Sequence, residues 1–355
     1  MDQKRLSHLL DKFPKIKILV FGDFFLDQYL IIDKSLQEVS IETDLTAHQV
    51  VSIRNSPGVA GTVTNNLRAL DVLVLAMGLI GVDGRGFDLK KGLVETGVNI
   101  QHIIESTEHM TPTYTKPMLR EVDGSENEIE RLDIKDRTPL SIPLENEFID
   151  RLNILVPQVD GVILINQVPE TNCSVMTDQI RVKIAALAMQ YPEKYFLVDS
   201  RKNIALFENM IIKCNLIEAQ NTLGFEIDAE LTIDKAIVCG KALFTKNQRP
   251  VIITLGEMGV LVCEGGICKV VPAITVQGPI DIVGAGDSAI AAITAALCAG
   301  ATLEEAGLVG NLVASITIQQ IGTTGTASRE QVLRRFEEYG FSKKSLCEKV
   351  AKYII

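Results

Sequence analysis

The 355-residue chain has no G-x-x-x-x-G-K-[S/T] loop, no G-x-G-x-x-G after its first strand-like run and no protein-kinase signature. Three common nucleotide-binding architectures are thereby removed. The four histidines, His8, His48, His102 and His109, form no metal motif, so a histidine-based zinc site is not expected. The seven cysteines are scattered and mostly sit in apolar runs, which reads as free thiols of a reducing compartment and not as a disulfide framework. There is no basic excess: the net charge is −10, which argues against a nucleic-acid partner. No apolar run is long enough to span a membrane, and Met1–Lys15 carries no signal-peptide block, so a soluble, cytoplasmic protein with no membrane partner is expected. Repeats, low-complexity segments and Pro/Ser-rich linkers are also missing, which favours a single body over residues 1–355.

What the chain does hold is an ordinary globular balance, 46% hydrophobic and 23% charged, enough for a sizeable core. Short apolar or β-branched runs (16–21, 72–77, 162–165, 195–198, 210–214 and 251–255) alternate with segments of helical spacing (62–70, 87–96, 174–189 and 233–244). That alternation predicts an α/β fold with a large, mostly parallel sheet flanked by helices. Thr302-Leu-Glu-Glu305 has capping-box spacing and opens a further helix to about Gln319. Two segments, 28–54 and 111–132, break the pattern with polar/apolar alternation. They read either as a small separate β-sheet, placed to act as a lid, or as two surface hairpins.

The most informative stretch is Asp281-Ile-Val-Gly-Ala-Gly-Asp287, followed by a small-residue apolar helix that ends at Gly300. A glycine-rich turn into a helix presents unpartnered N–H groups and the positive dipole end, which suits phosphate. Asp287 beside such an anion needs another task, and the best is accepting a proton from an attacking hydroxyl. With an ordinary pKa of ~3.9 it is expected to be ionised at neutral pH. Gly284, Ala285 and Gly286 then supply the anion hole. The same residues also read as an aspartate-capped turn with no ligand.

Other motifs lie where open α/β sheets bind ligands, beyond the carboxyl ends of strands. Asp23 and Asp27 suit polyol hydroxyls, or they are a turn aspartate and a cap. Gly58 and Thr62 let substrate approach a helix start, although Thr62 also reads as that helix's N-cap. Asn215-Leu-Ile-Glu218 offers an amide and a carboxylate for phosphates and a Mg²⁺ shell, or is simply an Asn turn before a short helix. Thr254-Leu-Gly256-Glu-Met-Gly259 reads as a hairpin.

Taken together these motifs resemble the ribokinase-like (PfkB) carbohydrate kinases over roughly residues 15–335. The resemblance is strongest in D-x-x-G-A-G-D at 281–287. Within the family the chain is most similar to the heptose-7-phosphate kinase branch, through residues 22–27, Pro57-Gly58 and Arg131-Leu-Asp133. The resemblance implies a large α/β domain with a small β lid that often makes dimer contacts. It implies ATP-dependent phosphoryl transfer to a sugar or sugar-phosphate hydroxyl, with ATP and Mg²⁺ as cofactors. Asp287 would be the base and Gly284–Gly286 the anion hole. Asn215, Thr254, Gly256, Gly259 and Asn311 would line the nucleotide pocket, with Glu218 near the metal. Asp23, Asp27, Gly58, Thr62 and Arg131 would face the substrate. Two departures stand out: in the substrate loop Val59 replaces a usual glycine and Thr62 stands where an asparagine is expected, and Cys214 takes the place of the proline that often precedes the N-x-x-E asparagine. They leave open a non-catalytic relative, or a kinase of a nucleoside or another non-sugar alcohol.

Overall fold

The computed structural model describes residues 1–121, 124–226 and 232–351, the last eleven by backbone alone. The chain opens with α1 (Gln3–Leu10) and enters the main sheet at β1 (Lys17–Gly22). It leaves through β2 (Phe24–Asp33), the short β3 (Glu38–Val39) and β4 (Thr46–Ala47), and β5 (Val50–Val59). Then α2 (Ala60–Ala69), β6 (Leu73–Gly81), α3 (Gly84–Glu95) and β7 (Asn99–Ser106) return to the main sheet. A second excursion is β8 (Thr113–Arg120), β9 (Glu126–Glu128) and β10 (Leu132–Ile134). Next come α4 (Ile142–Leu155), β11 (Gly161–Asn166), α5 (Asp178–Gln190), β12 (Tyr195–Ser200) and β13 (Ile211–Asn215). They are followed by α6 (Leu216–Leu223), α7 (Ile233–Asn247), β14 (Val251–Thr254), β15 (Val260–Glu264) and β16 (Ile267–Val271). The last helices are α8 (Ala285–Cys298), α9 (Leu303–Thr317) and α10 (Arg329–Ala351).

Among the described residues the main sheet has nine strands in the order β16-β15-β14-β13-β12-β11-β1-β6-β7. From β14 across β13, β12, β11, β1 and β6 to β7 neighbouring strands pair in parallel, and the β15–β16 hairpin closes one edge antiparallel. A sheet covered on both faces must bury successive side chains on opposite sides, which is why its strands read as unbroken apolar runs. In β1, Ile18 and Val20 join the core containing α2, α8 and α9, while Leu19 and Phe21 join the core containing α4, α5 and α7. Every residue of α8 from Ser288 to Leu297 is buried, as its small apolar composition requires. Both capping boxes form, Thr302 with Glu305 on α9 and Asn215 with Glu218 on α6. Helices α1, α4 and α10 were not among the segments expected to be helical. No helix of the described residues is long and apolar enough to cross a membrane.

The two irregular segments do pair, into a separate sheet of order β10-β8-β2-β5 with β9 on β8. Its central strands β2 and β8 run parallel, in a register that sets Asp27 opposite Tyr114 and Tyr29 opposite Lys116. The first of these strands starts at Phe24, earlier than expected, so Asp27 lies on a strand and not in a loop. A second expectation fails at the cysteines: Cys263 and Cys268 are disulfide-bonded. They are directly opposed on the β15–β16 hairpin, a proximity that spacing along the chain does not reveal. Cys173, Cys214, Cys239 and Cys298 are free thiols.

Candidate active site

The carboxyl ends of the neighbouring strands β12 and β13 approach the start of α8, through Asp199 and Lys213. Gly284 is the N-cap of α8, in the left-handed region at φ 79°. A Cβ there would lie 3.3 Å from Thr324 Cγ2 and from Thr62 Cγ2, so the turn demands glycine twice over. No side chain caps this helix, which leaves first-turn N–H groups directed at the site. Asp287 follows in that first turn, partly open to solvent.

Beside it stands a lysine that the motif reading missed. Lys213, on β13, is buried at 4% exposure, and its Nζ is 2.5 Å from Asp199 Oδ2 at the end of β12. The same Nζ would be 2.9 Å from a Cβ on Gly286, so a larger residue there would push the ammonium away from this turn. A single lysine inside an apolar strand is the one available signal, and its partner is far along the chain. Burial raises the pKa of Asp287 to about 7, with Asp199 and Asp27 adding to the rise and Lys213 and Arg201 opposing it. The expectation of an ordinary, fully ionised carboxylate is therefore corrected. The reason is desolvation. Burial alone would lower the Lys213 pKa, but Asp199, Glu218 and Asp287 together outweigh it, so the net direction is up.

Across from α8 lies one face of the second sheet. Strand alternation puts Asp27 and Tyr29 on the same face as Tyr114 and Lys116. Asp27 is buried and stands 3.8 Å from Lys116 Nζ, which also donates to the Tyr29 hydroxyl at 3.3 Å. Burial raises the Asp27 pKa, opposed by Lys116 and Arg131. Gly58 is required here, because a Cβ would fall 2.6 Å from Asp27 Oδ2. Arg131 stacks over the Tyr114 ring at 4.5 Å and is held in bidentate fashion by Asp133 at 2.7 and 2.9 Å.

Several expected site residues have other partners. Asp23 is occupied internally: Gln167 N–H, Val168 N–H and Ser174 Oγ–H all donate to its carboxylate, at 2.7, 3.0 and 2.7 Å. It ties the end of β1 to the loop after β11, so a substrate-binding role for it is withdrawn. Thr62 is not the N-cap of α2; the helix starts at Ala60, capped by Val59 at φ 57°. Thr62 is buried two positions into the helix, its methyl close to Gly284. Gly259 is needed for packing, since a Cβ would meet Val271 O at 2.2 Å, and Asn311 Nδ2 donates to Val271 O and Pro272 O at 2.9 Å. Both brace the strand-end segment 271–273. By contrast Gly256, at φ 59°, faces open space, and Thr254 is half-buried at the end of β14. Asn215 and Glu218 cap α6 reciprocally, at 2.8 Å each. One Glu218 oxygen takes the Asn215 N–H; burial, then Asp199, raise the Glu218 pKa. Among the described residues no cluster of three or more His, Cys, Asp and Glu is arranged to hold a metal ion.

Residues 16–330 match the pfkB family carbohydrate kinase profile. The chain is 26% identical over 321 residues to the bifunctional protein HldE of Helicobacter hepaticus, covering 90% of this chain and 63% of that protein. To the Helicobacter pylori HldE it is 27% identical over 318 residues, 89% of this chain and 66% of that one. The chain thus spans less than two thirds of the length of these relatives. In fold it is similar to Escherichia coli phosphofructokinase-2 in complex with potassium (TM-score 0.69, 18% identity, 92% of this chain and 99% of that one). It is similar also to Arabidopsis thaliana ribokinase complexed with ribose and ATP (TM-score 0.67, 18% identity, 90% and 98%). A carboxylate held at an uncapped helix start, at the carboxyl edge of a parallel sheet and faced by a small second sheet, agrees with the profile over most of the length: the chain belongs to the pfkB family of carbohydrate kinases.

Proposed function

We propose that the chain transfers the terminal phosphoryl group of ATP to a hydroxyl of a sugar or sugar phosphate. The observation that carries this is Asp287, with a pKa of about 7, in the first turn of an uncapped helix and beside a buried lysine. Such a carboxylate is a better proton acceptor than an ordinary one, because general-base efficiency peaks when the pKa is near the working pH. The first-turn N–H groups of α8 are placed to stabilise charge on the transferring group, and Lys213 adds a fixed cation in a partly desolvated site. The open carboxylate oxygen of Glu218 fits a Mg²⁺ shell, since that ion takes oxygen ligands and keeps several waters. With no larger acidic cluster among the described residues, Glu218 is the group that would hold it, and the ion would supply charge neutralisation on the phosphates. Thr254 and Gly256 border the same edge, where the nucleotide is expected.

Asp27 on the second sheet supports acceptor binding, because an ionised carboxylate accepts hydroxyl hydrogen bonds. Lys116 and Arg131 beside it favour an acceptor that carries an anionic group, hence a sugar phosphate over a nucleoside. The sheet would then serve as a lid that limits water at the reacting atoms. Val50 and Ile53 of this sheet, with Val39, Ile41 and Leu45 on the adjoining two-stranded β3–β4 hairpin, are exposed and apolar, which supports a homodimer through the lid. The test is ADP release over a panel of sugars, sugar phosphates and nucleosides, with Asp287→Asn as control. Stimulation by a sugar phosphate and its loss in the control support the reading. ATP binding with no acceptor-stimulated turnover would instead identify a non-catalytic relative.

A further inference from the structure

Arg201 stands just past the carboxyl end of β12, one strand from Lys213 and the Gly286 turn. Alternation along β12 sends Leu197 into the core that contains α8, and so puts Asp199 on the α8 side of the sheet. The pairing of Asp199 with Lys213 agrees with that side. Beyond Ser200 the chain runs out past the edge where ligands of such sheets bind.

The corner that carries Arg201 is fixed. Its backbone N–H donates to Asn166 O at 3.1 Å. Ser200 Oγ–H donates to Asn166 Oδ1 at 2.8 Å, and the same oxygen accepts from the Asn203 N–H at 3.1 Å. Asn166 Nδ2 donates in turn to Ser174 Oγ at 3.2 Å, and that hydroxyl is the one bonded to Asp23. Asn166, Ser174 and Ser200 are all buried, so this network holds the backbone of the corner and not a ligand. The Arg201 side chain is in the opposite situation. It is exposed, and among the described residues its guanidinium makes no hydrogen bond or ion pair. Its charge nevertheless reaches two carboxylates on other elements. Burial raises the pKa of both Glu218 on α6 and Asp287 on α8, and Arg201 works against the rise at each. An arginine that influences two carboxylates and pairs with neither keeps its donors for an anion arriving between them. A planar fork of N–H groups matches a phosphate better than a point charge does.

Resting on the kinase reading, we propose that Arg201 is a further catalytic residue, whose guanidinium grips the terminal phosphate of ATP and neutralises charge as that group is transferred. In the step the bond from the γ-phosphorus to the bridging oxygen breaks, and its electron pair leaves with ADP. The acceptor oxygen bonds to the same phosphorus, and the acceptor proton passes to Asp287. Lys213 is tied to Asp199 throughout, whereas the exposed Arg201 side chain is free to follow the moving group.

The test separates the terminal phosphate from the rest of the nucleotide. ATP and ADP are each titrated by calorimetry into the unaltered protein and into Arg201→Met, with no acceptor present. Because the residue is exposed, the variant should keep its thermal midpoint. Arg201→Met should weaken ATP binding roughly tenfold or more and ADP binding by no more than about twofold, since only ATP carries the phosphate that the guanidinium meets. With an acceptor that the unaltered protein phosphorylates, kcat should fall by about 10²-fold or more, and added guanidinium ion should restore part of the loss. Arg201→Lys keeps the charge without the fork, and should retain more of the ATP preference than of the rate. Equal weakening of ATP and ADP, ATP affinity within about twofold of the unaltered protein's, or an unchanged kcat would each overturn the proposal alone. Failure of the unaltered protein to bind ATP would overturn the kinase reading beneath it as well.

Discussion

Replacing Lys213 by methionine removes a buried cation beside Asp287, and the response should be legible in a pH profile. In the unaltered protein Asp287 titrates at about 7, raised first by burial and then by Asp199. If the ionised carboxylate is the base, kcat/KM rises with pH through a limb near 7, because that ratio reports the free enzyme. The Lys213 ammonium would sit 2.9 Å from a Cβ on the preceding residue, Gly286, and it opposes the rise in the Asp287 pKa. At an effective dielectric of about 20, an opposite unit charge roughly 6 Å away contributes about 3 kcal/mol, or about two pH units, within the ~1–3 units usual for a charge that close. Loss of the cation also leaves Asp199 uncompensated, which acts in the same direction. Lys213→Met should therefore move the limb to more alkaline pH by about one to two units, whatever happens to the height of the plateau. Lys213→Arg, which keeps the charge, should leave the limb near its original position. A limb in Lys213→Met within about 0.3 units of the unaltered protein would refute the reasoning, as would an unaltered protein whose limb lies near 4.

Asp287→Asn should lower kcat by roughly 10²–10⁴ while nucleotide binding persists, measured by steady-state kinetics and calorimetry. The same variant should be more stable than the unaltered protein above pH 7, by roughly 2–4 kcal/mol, because ionising a carboxylate with a raised folded pKa opposes folding. That advantage should shrink as pH falls from 7 towards the ordinary value of ~3.9 and vanish only below it, where Asp287 is protonated in both states; a constant difference in urea midpoints from pH 7 down would contradict the raised pKa. Val59→Gly should stabilise by about 0.5–2 kcal/mol in urea unfolding, since a β-branched residue at φ 57° is strained by about 1–3 kcal/mol and glycine returns only part of that in chain entropy. Asp23→Ala should destabilise by about 3 kcal/mol or more, leaving three buried donors unmet, with a shifted thermal midpoint as the readout.

The second sheet illustrates the boundary between what is local and what is not. Its two source segments were recognisable by their alternation, because period-two patterning is a property of neighbouring residues. Their parallel pairing through β2 and β8 was not, since Asp27 and Tyr114 are 87 residues apart and meet only through the folded register. The start of β2 at Phe24 was missed for a related reason. Gly22-Asp23 looks like a turn, and only the bonds from Asp23 to residues 167, 168 and 174 show a tight corner between two strands.

The sequence by itself determined the α/β alternation, the α8 turn with its glycines, and the caps at Asn215 and Thr302, since each depends on residues a few positions apart. Val59 was visible too as a departure, and its positive φ now explains why a glycine suits that place. Tertiary structure alone decided that Lys213 meets Asp199 beside Gly286, that Asp287 holds its proton to about pH 7, and that Asp23 is a brace. It also decided that Cys263 and Cys268 are bonded. Charge and burial depend on distance through the folded body, and distance of that kind is set by packing between strands far apart along the chain.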